Sequence, residues 1–415
     1  MVDFFIPLKI AYSCKFNKYN SATKQLPHNY QIIIDIFAAK PDSALRILLS
    51  VISFLLSSAI LTAEAQDIPS PIKPVMPLFR TDTLTICVLG DIMMHTRQIE
   101  SALQKDGTYD FSSYFSLIHD RILSADIAIA NMEFTLSGKP YTGYPAFSAP
   151  DCYAEYLAEC GFDIFLTANN HIFDKGSKGA ERTLGIYRTL GSRYGIHICG
   201  LAEDQKMRDH TMPLKLTRKG IRLAFLNFTY GTNLGSDRHW PKTNYMNEKS
   251  LISEALAGSK DCDLTVVLPH WGTEYSLKHS LEQEKLSVML AENGADIIIG
   301  SHPHVPQDFG TVSDRKVPVV YSLGNAVSNM SAPDTQVGLM AEIRIIRKTN
   351  GDVNILPIDL TYLWCSRPGG YSDSYTVIPI KSYIGKRDMW KGEWDYDKMV
   401  SSYKRVQEIT GIEDN

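Results

Sequence analysis

The chain has 415 residues, of which 44% are hydrophobic and 21% charged, and its formal net charge is −4 at neutral pH. That length fits one large domain or two average ones, and the composition excludes a collagen, a coiled coil and wholesale disorder. The slight acidic balance, with no long run of one sign, excludes a global basic footprint for nucleic acid.

In chain order, the first feature is Leu45–Ala63, which reads LRILLSVISFLLSSAILTA with a single charge at Arg46 and runs into Ala63-Glu64-Ala65. A basic start, an apolar centre and a small-residue exit are the layout of a secretory signal. The stretch is also nearly long enough to span a bilayer. The expectation is an exported protein, periplasmic or in the cell envelope, with segment 45–63 either cleaved or kept as an anchor. Residues 1–65 then form a leader. Residues 66–82 carry Pro69, Pro71, Pro74 and Pro77 and read as an extended spacer.

From Thr83 onward, short β-branched runs alternate with helical stretches, which predicts an α/β domain over 83–365. The predicted strands are Leu84–Leu89, Ile127–Ala130, Ile164–Thr167, Ile221–Asn227, Leu264–Leu268, Ile297–Ile299 and Val319–Ser322. Leu339–Ile346 and Val353–Tyr362 come next as a hairpin about Thr349–Asp352. Predicted helices lie at Gln98–Gln104, Cys152–Cys160, Lys178–Leu190, Ser250–Ala257 and Glu282–Glu292. Residues 366–415 are expected to pack on the domain as a C-terminal extension, with one amphipathic helix at Tyr396–Ile409. The seven cysteines contain no CxxC, and their spacing does not resemble a zinc finger.

The informative pattern lies at the strand ends. Leu84–Leu89 runs into Gly90-Asp91, Ile127–Ala130 into Asn131-Met132-Glu133, and Ile164–Thr167 into Asn169-Asn170-His171. Leu264–Leu268 runs into His270-Trp271, Ile297–Ile299 into His302-Pro303-His304, and Val319–Ser322 into Gly324-Asn325. In α/β folds, ligands gather where strands run into loops at their carboxyl ends. Imidazole, carboxylate and amide oxygen together suit Zn, Mn, Fe or Mg rather than a soft ion. Pro303 is expected to hold Ser301–His302 extended, so that both histidines reach one centre.

Each residue alone has a blander reading. Asp91 reads as a cap, Glu133 as a solvated charge, Asn169-Asn170 as a turn, and His171 or His270 as a structural histidine. Six such endings in strand order point to a metal-type site. The alternative is a set of helix caps and loop anchors.

The motifs GDIMMH (Gly90–His95), NME (Asn131–Glu133), ANNHIFDKG (Ala168–Gly176), HWGTEY (His270–Tyr275), GSHPHVPQ (Gly300–Gln307) and YSLGN (Tyr321–Asn325) resemble those of the poly-gamma-glutamate capsule synthesis (CapA) family. That family is a branch of the calcineurin-like metallophosphoesterases. The resemblance implies a four-layer α/β/β/α sandwich, metallo-dependent phosphatase-like, with two divalent metal ions. By this likeness Asp91 binds the first metal and Glu133 bridges. Asn170, His270 and His302 serve the second metal, and His304 returns to the first. His171 matches the proton-donating histidine. Two departures stand out. Three residues separate Asp91 from His95, where the superfamily has Asp-x-His, and Glu133 stands where an aspartate is usual. Arg97, Trp271 and Tyr275 are candidate substrate contacts, and Asp174 is expected to shape the loop after His171.

Three functions fit these features. The first is a metal-dependent hydrolase of a phosphoester or related anionic bond in the envelope, linked to capsule or poly-gamma-glutamate synthesis. The second is a non-catalytic accessory protein that binds or guides an anionic polymer. The third is an amide-bond hydrolase or transferase acting on poly-gamma-glutamate. Expected partners are an anionic small molecule or polymer and capsule-synthesis membrane proteins, with no nucleic acid.

Overall fold

A computed structural model describes residues 83–233 and 239–414. The leader, the apolar segment 45–63 and the spacer at 66–82 lie outside the described residues. Among the described residues no helix is long and apolar enough to cross a membrane, and the six described cysteines are free.

Two sheets face each other. The first is built on β1 (Thr83–Ile92), β2 (Ile127–Met132), β3 (Ile164–Leu166) and β4 (His197–Cys199), all parallel. The second holds β5 (Leu214–Arg218), β6 (Ile221–Thr229), β7 (Leu264–His270), β8 (Ile297–Ile299), β9 (Phe309–Val312) and β10 (Val317–Val320), in the order β5-β6-β7-β8-β10-β9. Its central four strands are parallel and its two edges antiparallel. The short β11 (Asn325–Val327) runs parallel to the end of β1 and pairs Asn325 with Asp91. The first sheet continues on the other side of β1 through β12 (Val337–Arg347), β14 (Asp359–Ser366) and β15 (Thr376–Pro379), all antiparallel, while β13 (Val353–Ile355) pairs with β12.

Side-chain alternation explains the layers. Leu84, Ile86 and Val88 of β1 meet Leu223 and Phe225 of β6 and Val266 of β7 in a core between the sheets. Cys87 and Leu89 of β1, pointing the other way, pack with Tyr153 and Leu157 of the helix Asp151–Glu159 and Tyr187 of the helix Gly176–Tyr194. Ala224 and Leu226 of β6 pack outward with Ile252 of the helix Lys249–Gly258 and Leu290 of the helix Leu281–Glu292. The result is the expected α/β/β/α arrangement. The C-terminal helix Glu393–Thr410 sends Met399, Tyr403 and Val406 into the inter-sheet core beside Tyr362 and Trp364 of β14.

Two features differ from expectation. The predicted strand Val353–Tyr362 is broken into β13 and β14 around Pro357, which has no N–H for a ladder. His302 has φ +102° rather than an extended backbone. Its turned backbone sends the His302 N–H to Asp91 Oδ2 at 3.2 Å, a bond the first sheet supplies across the site.

Candidate metal centre

The carboxyl ends of β1, β2, β3, β7 and β8 converge. Asp91 lies near the end of β1, Glu133 directly succeeds β2, and His270 ends β7. Asn170 and His171 lie in the loop after β3, and His302 and His304 in the turn after β8. All seven side chains are buried.

Asp91 is held on both oxygens. Asn131 Nδ2 donates to Oδ1 at 2.8 Å, and Oδ2 lies 3.4 Å from His304 Nδ1. The Asn169 side chain in turn donates to Asn131 Oδ1 at 3.1 Å. His304 Nδ1 lies 3.0 Å from Asn325 Oδ1, which turns Nε2 toward Glu133, 3.8 Å away. His270 Nδ1 lies 3.0 Å from Ser301 Oγ, and its Nε2 lies 2.8 Å from Asn170 Oδ1 and 3.8 Å from Glu133 Oε1. Such contacts to the second ring nitrogen fix which nitrogen faces the centre.

Glu133 lies at the middle. Both its oxygens are buried with no hydrogen-bond partner, and His302 Nδ1 is likewise unpartnered. Burial, then the charges of Asp91, Glu274 and Asp174, raise its carboxyl well above the usual range. Burial and the neighbouring imidazoles hold His270 and His302 well below the ordinary histidine value, so both rings are neutral and able to ligate at neutral pH.

Two ligand triads result, Asp91–Glu133–His304 and Glu133–His270–His302, each with its donor atoms mutually within 4.8 Å. Glu133 is common to both. An ionised carboxylate without a donor is costly in a protein interior, and a cation on each side removes the cost. The donor set is hard to borderline, as Mn, Zn, Fe or Mg require. The residues present therefore fit a divalent metal centre.

His171 faces the same point. Its Nδ1 lies 2.8 Å from Asp174 Oδ2, and its Nε2 lies 4.0 Å from Glu133 Oε1 and 3.4 Å from Asn233 Nδ2. Phe147 packs edge-on against the ring at 4.7 Å. Asp174 also accepts from the Phe147 N–H at 2.8 Å, so it shapes the loop and orients the histidine.

The three candidate substrate contacts divide. Tyr275 is 45% exposed, with its ring 6.3 Å from His304. Trp271 is a correction. It is fully buried on the outer face of the second sheet, and its Nε1 donates to Tyr321 O at 2.9 Å. Adjacent residues at a strand end point to opposite faces, so His270 enters the centre and Trp271 leaves it. Arg97 lies on the surface. It sits in the helix Thr96–Ala102 and pairs with Glu100 at 3.3 Å, both side chains well exposed. His95 stays outside both triads. Its Nδ1 lies 3.2 Å from Gln98 Oε1 and 3.3 Å from Asn329 N, and burial lowers its pKa to about 4.

Sequence reasoning missed Glu274 and Tyr230. Glu274 forms a third close group with His302 and His304, and its signal was its place inside HWGTEY. Tyr230, 44% exposed, lies over His302 with ring centroids 4.4 Å apart, and no motif marked it.

Two curated relatives are similar to this chain. The chain is 27% identical over 292 residues to the capsule biosynthesis protein CapA of Bacillus anthracis, covering 67% of this chain and 68% of that one. It is 25% identical over 303 residues to the PGA biosynthesis protein CapA of Bacillus subtilis (strain 168), covering 69% and 74%. Among solved structures, a candidate 5′-nucleotidase of Staphylococcus aureus superposes with a TM-score of 0.44 at 14% identity, over 67% of this chain and 54% of its own length. The family described as "Bacterial capsule synthesis protein PGA_cap" matches residues 85–330, more than half the chain, and the protein belongs to that family.

Proposed function

We propose that the protein is an exported, metal-dependent hydrolase of the phosphoesterase type, acting on a phosphoester or related anionic bond in capsule or poly-gamma-glutamate synthesis. The observation that carries this reading is Glu133, a buried carboxylate without a donor that is shared by two ligand triads. Asp91, Glu133 and His304 would hold one cation. Glu133, Asn170, His270 and His302 would hold the other. Such a pair of cations would supply charge neutralisation at the substrate oxygens and acidify a water. The chain's own residues do the rest. Asp174 holds His171 by Nδ1, so that Nε2 faces the centre and donates a proton to the leaving oxygen. Phe147 shields one side of that ring from water. The substrate is an anionic small molecule or polymer, and capsule-synthesis membrane proteins are the partners.

The test combines metal analysis with turnover. Mass spectrometry of the purified protein should find about two transition-metal ions per chain, falling in a His302→Ala/His304→Ala double variant. With added Mn²⁺ it should hydrolyse an aryl phosphate, and His171→Ala should slow this about 10²–10⁴-fold. A fully loaded protein whose turnover ignores His171 would sink the catalytic reading. The relatives are described as biosynthesis proteins, which supports a second reading, an accessory protein guiding an anionic polymer. In that case the metal-loaded His171→Ala variant binds polymer and supports capsule formation normally.

A further inference from the structure

We propose that Glu274 is a further ligand of this centre, binding from the solvent side between His302 and His304. The inference rests on the two-cation reading above. Its carboxylate and one nitrogen from each of those rings lie mutually within 4.8 Å. His302 belongs to one triad and His304 to the other, so Glu274 approaches both halves of the centre at once. Glu133 meets the histidines from the buried side, whereas Glu274 is exposed. The two carboxylates therefore reach the same rings from the core and from solvent.

The backbone holds Glu274 in place. The next residue, Tyr275, has φ +66°, and its N–H donates to Pro303 O at 2.8 Å, tying the loop to the turn that carries both histidines. A left-handed tyrosine is uncommon and persists only where its surroundings fix it. A glutamate pinned against a ligand turn in this way differs from a freely solvated surface charge.

The chemistry gives it a task. The Asp91–Glu133–His304 triad supplies three donors, and His95, the histidine of the first motif, contacts Gln98 and Asn329 through Nδ1 and belongs to none of the close groups. Divalent Mn, Fe or Zn takes four to six ligands, so room remains for another oxygen. A third carboxylate, on the open side, also lowers the excess positive charge of two cations beside only Asp91 and Glu133. An arriving anionic substrate would meet Glu274 first and would have to share or displace it.

The experiment uses the full chain and Mn²⁺ alone as probe. Stoichiometry and affinity are read by titrating the chelator-treated protein, for wild type, Glu274→Gln and Glu274→Asp. Glu274→Gln should bind Mn²⁺ at least about tenfold more weakly, and Glu274→Asp should fall between it and wild type. The loss should persist in about 0.5 M KCl, where exposed charges separated by more than a few ångströms are screened. A loss that disappears in salt would make Glu274 a distant attractor and overturn the assignment. Wild-type affinity and stoichiometry in Glu274→Gln would also overturn it, leaving the two-cation reading intact. No Mn²⁺ uptake by wild type would overturn both. Because Glu274 is exposed, the metal-free thermal melt of each variant should match wild type, which separates ligand loss from unfolding.

Discussion

At Glu133, stability and function pull in opposite directions. Its folded-state pKa lies well above the ordinary 4.5, from burial first and then from Asp91, Glu274 and Asp174. In the metal-free protein the native state keeps this proton at pH values where the unfolded chain has lost it. The group's stabilising contribution is therefore full below about pH 4.5 and is lost as pH rises toward the folded value. Glu133→Gln removes that titration. Without metal at neutral pH, the variant should be more stable than wild type by about 1–3 kcal/mol, with the gap closing toward acid pH and cation uptake lost. His270 and His302 are lowered, so their contribution is lost as pH falls below 6.5, but both proteins share it and it drops out of the comparison. Urea denaturation of chelator-treated samples across pH reads the difference. A variant no more stable than wild type at neutral pH would remove the argument that the site is built around a cation.

Elements bring these residues together through strand ends that touch. Gly90 and Gly300 sit where no side chain fits. A Cβ on Gly90 would lie 1.9 Å from Gly324 O, and one on Gly300 would lie 2.1 Å from Tyr321 O and 2.3 Å from Trp271 Nε1. Gly300→Ala should therefore break the Trp271–Tyr321 bond and push β8 from β10, moving the turn that carries His302 and His304. We expect a loss of about 1–3 kcal/mol or more together with weaker Mn²⁺ binding. Gly310→Ala, whose Cβ meets nothing, is the control. Comparing thermal midpoints and metal content decides it, and a Gly300→Ala protein with the control's values would refute the close-contact argument. The same strand ends explain what could be read in advance. Buried parallel strands are β-branched runs, and their termini carry the polar motifs, so β1, β2, β3, β6, β7 and β8 were visible. β3 and β8 are as short but wholly apolar, whereas β4 (His-Ile-Cys), β11 (Asn-Ala-Val) and β15 (Thr-Val-Ile-Pro) mix polar residues or proline into three or four positions and leave no run to register. β5 alternates weakly and joins β6 through Lys219-Gly220, both at positive φ, without the Asn-Gly or Asp-Gly signal that marks such hairpins. At the site, adjacency misled for Trp271 because a chain of letters hides which face a residue takes. Glu274 stands inside HWGTEY, but its approach to His302 and His304 depends on the bond from Tyr275 to Pro303, a residue far along the chain, so the motif alone does not show that it faces the centre.

On the scale of the molecule, the family match ends at residue 330, yet the sheet that carries Asp91 does not. β12 pairs with β1 from Thr83 to Leu89, and β14 and β15 extend beyond it. The second sheet has six strands against nine in the first, so part of the inner face needs another cover. The helix Glu393–Thr410 supplies it. Tyr403 packs edge-to-face on Tyr362 with centroids 5.2 Å apart, and Met399 and Val406 are fully buried in the same core. Removing one such aromatic leaves a cavity that neighbours fill only in part. Tyr403→Ala should cost about 2–4 kcal/mol of stability. Every proposed ligand lies between Asp91 and His304, so the folded variant should keep wild-type metal content and Mn²⁺ affinity. Chemical denaturation and metal titration below the melting range measure the two effects separately. If the folded variant loses cations, the extension supports the centre itself, and the division between a metal-holding half and a covering half is wrong.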